Sequence, residues 1–374
     1  MQKQREEIMS KSRVLMAMSG GLDSSVAAMM LLEQGYDLVG ITMKTWEYGH
    51  ADASGKETGC CSLDSIHDAR HLAVSMGFPH YVLDIRDEFN KYIVDDFIDQ
   101  YMKGRTPNPC VLCNTHIKWD ALLKRADQLH CDYIATGHYA RVRQEGGRFI
   151  LSKGADPEKD QSYVLWGLSQ DFLARTLFPL GDYTKPEIRE LARKAGFQEI
   201  ADKRESYEIC FIPDNDYRGF LRRNVPDIEN RITEGDFVDK QGNILGKHKG
   251  YPFYTIGQRK GLNVAVGEPL YVTGINPETN TIVLGRKEDT LTDRFDISGF
   301  NLIKYTSLPE TLTVDVKIRY KHPGQAATIT PGPDSSRVHV SLHKPVSAVT
   351  PGQSAVLYDK YDVIGGGFIE PPSS

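Results

Sequence analysis

The stretch Ala17-Met18-Ser19-Gly20-Gly21-Leu22-Asp23-Ser24-Ser25 constrains this chain more than any other, because it joins an apolar run to a helical pattern. Val14-Leu15-Met16-Ala17 before it is apolar without alternation, which predicts a buried strand of a parallel sheet. After it, Ser24 is expected to cap a helix running from Val26 through Leu31 and Leu32 to a stop at Gly35. Two glycines and three hydroxyls then lie at a helix N-terminus, facing the carboxyl edge of a sheet. Free N–H groups and the positive end of the helix dipole make that a phosphate site. Gly20 and Gly21 lack side chains, so phosphate oxygens can approach the backbone closely. The stretch has no Gly-Lys-Ser/Thr ending and no Gly-x-Gly-x-x-Gly pattern, so it is neither a Walker loop nor a dinucleotide fingerprint.

The pattern continues as strand and helix in alternation. Strands are expected at Leu38–Met43, Tyr81–Ile85 and Asp132–Thr136, with helices over Ser65–Met76, Asp87–Met102 and Ile117–Leu129. Between the last two helices, Arg105–Asn114 carries two prolines and reads as a loop. Such alternation predicts a doubly wound α/β fold with a mostly parallel sheet and a ligand at the strands' carboxyl ends. A hairpin is expected over Arg141–Lys153, turning at Gly146-Gly147, and Thr184-Lys185-Pro186-Glu187 is a capping box. After about Asp214, short alternating segments and glycine turns take over. They predict a small central β-rich domain and a C-terminal β-barrel of about six strands. The expected domains are residues 12–205, 206–288 and 289–374.

At 374 residues the chain is long enough for two or three cores. No apolar run approaches the ~20 residues of a membrane span, and the first eleven residues are polar, so a cytoplasmic protein without a membrane partner is expected. A net charge of −5 argues mildly against nucleic acid, DNA included, although basic clusters exist at Lys247-His248-Lys249 and Arg259-Lys260. These lie beside Tyr251, Phe253 and Tyr254, which suggests phosphate and stacking contacts. Six cysteines are too few for a disulfide scaffold in a chain of this length. Cys110 and Cys113 form a C-x-x-C suited to a redox pair or to half of a metal or cluster site. Cys60, Cys61 and Cys131 read as small buried or loop residues, and Cys210 stands alone in Ile209-Cys210-Phe211-Ile212.

The Ser-Gly-Gly-x-Asp-Ser pattern resembles the pyrophosphate loop of ATP pyrophosphatases, which adenylate a carbonyl oxygen. The Met43 strand, Thr106-Pro107-Asn108-Pro109-x-x-x-Cys113-Asn114, Ala135-Thr136-Gly137-His138-Tyr139 and Lys159-Asp160-Gln161 extend the likeness. So do the Cys210 segment, Tyr254-Thr255-x-Gly257-Gln258-Arg259-Lys260-Gly261-Leu262 and Pro351-Gly352-Gln353-Ser354-Ala355-Val356. Together they resemble, in matching order over essentially the whole chain, the tRNA-specific 2-thiouridylases. That resemblance implies ATP-dependent thiolation at C2 of the wobble uridine, with tRNA and a sulfur-donor protein as partners and Mg²⁺ accompanying ATP. It also implies that Ala17, Met18, Ser19, Gly20, Gly21, Leu22, Asp23 and Ser24 hold the ATP phosphates and that Met43 and Gly137 contact the nucleotide. Cys113 matches the family's nucleophile and Cys210 its persulfide carrier. Asn108, Pro109 and Cys110 match positions facing the target base. His138, Lys159, Asp160, Gln161, Arg319, Tyr320 and Gln353 match tRNA contacts.

The chemistry is coherent. A uracil C2 oxygen is a poor leaving group until it becomes an adenylate ester, after which AMP departs as sulfur adds. Many members carry an aspartate, a proton-transfer group, where this chain has Cys110. With Cys110 present, Cys110, Cys113 and Cys210 match the three thiolates of a [4Fe-4S] site, the alternative to persulfide chemistry. Two other functions compete: another adenylating pyrophosphatase, and a non-catalytic tRNA-binding or sulfur-carrier protein on the same fold.

Overall fold

The structure, a computed structural model, describes residues 12–46, 63–202 and 209–372. Residues 1–11, 47–62, with Cys60 and Cys61 among them, and 203–208 lie outside the described residues. The described chain divides into two compact units. One comprises the residues up to Ile93, Cys110–Asn215 and Tyr361–Val363, and the other comprises Val94–Pro109, Asp216–Lys360 and the residues from Ile364 onward.

In the first unit, β1 (Arg13–Ala17), β2 (Asp37–Lys44), β3 (His80–Asp84) and β4 (Tyr133–Ala135) are followed by a hairpin of β5 (Ala140–Glu145) and β6 (Arg148–Lys153), then by β7 (Thr176–Leu177). The order β3-β2-β1-β4-β7 is parallel throughout. Val14, Leu15 and Met16 are fully buried, which is why β1 reads as an unbroken apolar run. The helix Leu22–Glu33 buries Val26, Ala27, Ala28 and Leu31 in a cluster with Val14, Met16, Leu72, Ile188 and Ala192. Each of the large side chains there contributes about 1.5–3 kcal/mol by leaving water. The chain builds β2 and β3 on one side of β1 and then returns to build β4 on the other. The turns after β1 and β4 therefore flank the crevice where such sheets hold ligands.

Several expected elements differ in detail. Gly21 occupies the N-cap position of the helix after the glycine turn and supplies no side-chain cap, and Ser24 already lies inside the first turn. Helix resumes at Pro109–Leu112, not Ile117, and continues as a π-helix over Cys113–Lys118 into Trp119–Gln128. Proline suits the first helical position because its missing N–H is unneeded there, so the second proline of the loop starts a helix. The expected helix over Asp87–Met102 contains a π turn at Asn90–Val94. The capping box at Thr184 and Glu187 and the turn at Gly146 and Gly147, both at positive φ, form as expected.

The second unit contains β8 (Gly235–Val238), β9 (Ile244–His248), β10 (Tyr271–Asn276) and β11 (Thr281–Gly285), paired in the order β10-β11-β8-β9. After it come β12 (Leu291–Leu302), β13 (Leu312–Lys317), β14 (Gln325–Pro331), β15 (Val338–Ser347), β16 (Ser354–Asp359) and β17 (Asp362–Ile369). Pairing of β12 with both β15 and β17 closes these six strands into a barrel. Its interior is apolar, with Ile297, Val316, Ile329, Val340, Leu357 and Ile364 among the buried side chains. No described helix is long and apolar enough to cross a membrane.

Candidate active site

The glycine turn presents a helix N-terminus without a side-chain cap. Gly20 has φ +67°, and a Cβ there would lie 2.2 Å from the Ser65 carbonyl oxygen, so only glycine fits. No side chain caps the helix at Gly21, which leaves its first-turn N–H groups to a ligand or to solvent. Ser24 Oγ accepts the Ser19 N–H at 3.1 Å and Ser25 Oγ donates to the Gly21 carbonyl at 2.8 Å, so the hydroxyls shape the turn. From behind, Thr42 Oγ1 donates to the Met18 carbonyl at 2.8 Å. Having given that proton, it accepts from His80 Nε2 at 2.9 Å. Burial lowers the His80 pKa, in keeping with a neutral ring. Met43 follows Thr42 near the carboxyl end of β2.

Gly137, after β4, packs against the same turn: a Cβ there would sit 2.8 Å from Ser24 N. This glycine secures a close backbone approach to the phosphate loop. Next to it, Tyr139 donates from its hydroxyl to Asp23 Oδ1 at 2.7 Å. Lys185, 9 % exposed in its side chain, donates to both Asp23 oxygens at 2.8 Å. The loop's one carboxylate is thus held between an ammonium and a phenol.

The cysteines differ in their surroundings. Cys113 is buried in the π-helix, Cys210 is half-buried, and Cys110 is exposed. Although open to solvent, Cys110 is crowded by protein that pushes its thiol pKa up, while the Lys118 ammonium pulls it the other way. Lys118 also acts on His138, whose pKa falls to about 3 chiefly through burial. His138 therefore stands as a neutral imidazole, 2.8 Å from Thr136 Oγ1 and packed on Trp119. Through Lys118, the cysteine helix and the β4 turn share one cation. Beside Cys210, Phe211 packs edge-on to Phe89 and against Trp46. Cys131 is buried as expected, its thiol pushed up to about 11 by burial. Among the described residues, no three Cys, His, Asp or Glu side chains are disposed around one point that would hold a metal.

Of the residues matched to RNA contacts, several are engaged by the protein itself. Asp160 is 7 % exposed, and its oxygens accept from Gly154 N–H, Ser162 N–H and the Ser162 hydroxyl. Gln161 Oε1 accepts the Tyr139 N–H at 2.9 Å. Lys159 and Asn108 are half-buried, Pro109 is buried, and Arg319 and Tyr320 are exposed in the turn after β13. Gln353 donates to backbone carbonyls of the proline loop. The expected aromatic platform is absent from the surface: Tyr251, Phe253 and Tyr254 are buried, as is His248. Tyr254 and His248 pack edge-on with Phe237 in the core of the central module. Sequence reading missed Lys185, Lys118, Tyr139 and the Thr42–His80 support. Lys185 is the residue inside a recognised capping box, and nothing in the spacing reveals that its ammonium turns inward.

Residues 12–214 match a family model described as the tRNA methyl transferase HUP domain. Residues 219–286 match a tRNA methyl transferase PRC-barrel domain and 292–369 an aminomethyltransferase beta-barrel domain. A tRNA-specific 2-thiouridylase MnmA of Amoebophilus asiaticus is 56 % identical over 363 residues, covering 97 % of this chain and 96 % of that one. Its counterpart in Cytophaga hutchinsonii is 56 % identical over 361 residues, with 96 % and 98 % covered. The Salinibacter ruber protein of the same name is 55 % identical over 362 residues, with 96 % and 94 % covered.

Proposed function

The chain belongs to the tRNA-specific 2-thiouridylase family, and on that premise we propose how its own residues carry out the reaction. It is an ATP-dependent enzyme that thiolates uridine in tRNA. The site works as follows. The uncapped helix end at Gly21 receives the ATP phosphates, with Mg²⁺ entering as the metal of the substrate. The C2 oxygen of the wobble uridine attacks the α-phosphorus and pyrophosphate leaves, giving an adenylate ester. The terminal sulfur of a persulfide on Cys210, loaded by a sulfur-donor protein, adds to C2, and AMP departs with the oxygen. The Cys113 thiolate then attacks the inner sulfur. A Cys113–Cys210 disulfide forms and 2-thiouridine is released, after which a thiol reductant supplies two electrons to reopen the disulfide.

The observation that carries this reading is the glycine turn itself: Gly20 at φ +67° against the Ser65 carbonyl, a helix N-terminus without a side-chain cap at Gly21, and Gly137 packed on Ser24 N. We assign residues 12–205 to adenylation and sulfur transfer, and 206–288 and 289–374 to the central and barrel domains. Lys159, Arg319 and Tyr320 are assigned to tRNA. The [4Fe-4S] alternative would need Cys110, Cys113 and Cys210 as ligands. The described residues present no such ligand set, so no step is routed through a cluster.

The test is mass spectrometry of the sulfur-loaded protein together with nucleoside analysis of the tRNA. Cys210→Ala should lose both the added sulfur and 2-thiouridine formation while ATP binding stays intact. Full activity in that variant would overturn the assignment.

A further inference from the structure

Gln353 stands just ahead of β16, and its side chain reaches the proline loop. Its Nε2 donates to the carbonyl oxygens of Thr106 and Pro107, at 3.0 Å each. Thr106 N–H donates to the Pro351 carbonyl at 2.9 Å, and a Cβ on Gly352 would lie 3.0 Å from the Thr106 oxygen. One residue earlier, Arg105 pairs with Glu370 at 2.5 Å, with 25 % and 26 % of the two side chains exposed. Glu370 also accepts from the Ser298 hydroxyl, and its own N–H donates to the Asp296 carbonyl. Gln353 is itself anchored, its carbonyl accepting from Ile369 N–H at 2.8 Å. All of these residues belong to one compact unit.

The loop needs outside donors. Pro107 and Pro109 have no N–H, so Thr106–Pro109 supplies few donors for its own carbonyls. Pro107 is buried, where an unmatched carbonyl is costly. The Gln353 amide answers both acceptors at once, and the Arg105–Glu370 pair holds the entry to the loop. Immediately downstream, Pro109 opens the helix that carries Cys110 and leads into Cys113.

Building on the thiolation reading, we infer that Gln353, Arg105 and Glu370 are positioning residues. Gln353 acts on the loop, and through it sets where Asn108 and Pro109 stand. A small displacement of such a loop slows chemistry by roughly ten- to a hundredfold while leaving substrate binding in place.

The experiment compares wild type with Gln353→Ala, Arg105→Glu and the Arg105→Glu/Glu370→Arg swap. Each is read for tRNA Kd, ATP Kd, single-turnover rate of 2-thiouridine formation at saturating tRNA, and melting temperature. Gln353→Ala and Arg105→Glu should each slow the single turnover at least tenfold with tRNA and ATP Kd within twofold of wild type. The swap should return the rate to within about threefold. A weakened tRNA Kd with a wild-type rate at saturation would make Gln353 an RNA contact and overturn the inference. A wild-type rate and Kd in both single variants would overturn it as well. If Gln353→Ala does not fold, the Arg105 variant and its swap decide alone. A wild-type chain that forms no 2-thiouridine refutes the thiolation reading itself, so the two failures are distinguishable.

Discussion

Lys185 Nζ donates to both carboxylate oxygens of Asp23 at 2.8 Å, which places a nearly buried ammonium behind the phosphate loop. The pair neutralises Asp23 at the turn proposed to receive the ATP phosphates. Removing the ammonium in Lys185→Met should weaken ATP binding by about 2 kcal/mol, roughly thirtyfold in Kd, the usual scale of hydrogen bonds to a charged group. Asp23→Asn in that background should recover most of the loss. Calorimetric titration with ATP checks both, and an unchanged Kd in the single variant would remove the role.

Protein crowded around the exposed Cys110 pushes its thiol pKa up, and the Lys118 ammonium pulls it down by less. A thiol raised in this way is a poor general base at neutral pH. Its alkylation by iodoacetamide should be slow at pH 7 and climb about tenfold per pH unit towards its raised pKa. Lys118→Met should shift that climb to higher pH. Anaerobic protein should hold no stoichiometric iron, and iron lost in Cys110→Ala would reverse the reading of this thiol.

His138 is held neutral with a pKa of about 3, below the ordinary histidine value of 6.5. Between those values the unfolded chain binds a proton that the folded chain refuses. Stability from this group is therefore complete above about pH 6.5 and falls as pH drops towards 3, at up to about 1.4 kcal/mol per pH unit. His80, His248 and His322 are shifted in the same direction and add to the slope. Urea unfolding at pH 7, 6 and 5 should show a shallower acid slope for His138→Asn than for wild type. Equal slopes would contradict a buried neutral ring.

The sheet was legible because β1 is apolar without alternation and the glycine turn follows it, two local signals that agree. The barrel was legible because β13 and the first half of β15, Val338 to Leu342, alternate between buried and exposed positions. The helix at Pro109 was not, since proline at a first helical position and proline in a loop look alike without the backbone angles. The site was legible where it rests on local backbone: Ser19-Gly20-Gly21 and Gly137. It was illegible where it rests on long-range pairing, as in Lys185 with Asp23, 162 residues apart. The bonds that Asp160 and Gln353 make to the protein's own backbone were not legible in the sequence either. Tyr251, Phe253 and Tyr254 show the limit of reading aromatics beside lysines as a stacking surface when a small module needs them for its core.

The most direct measurement mixes the purified chain with ATP, Mg²⁺, tRNA and a persulfide-generating sulfur donor, and follows pyrophosphate and nucleosides together. The account predicts tRNA-dependent pyrophosphate release with one 2-thiouridine formed for each pyrophosphate. A chain that binds tRNA yet releases no pyrophosphate, or releases it without tRNA, would contradict it.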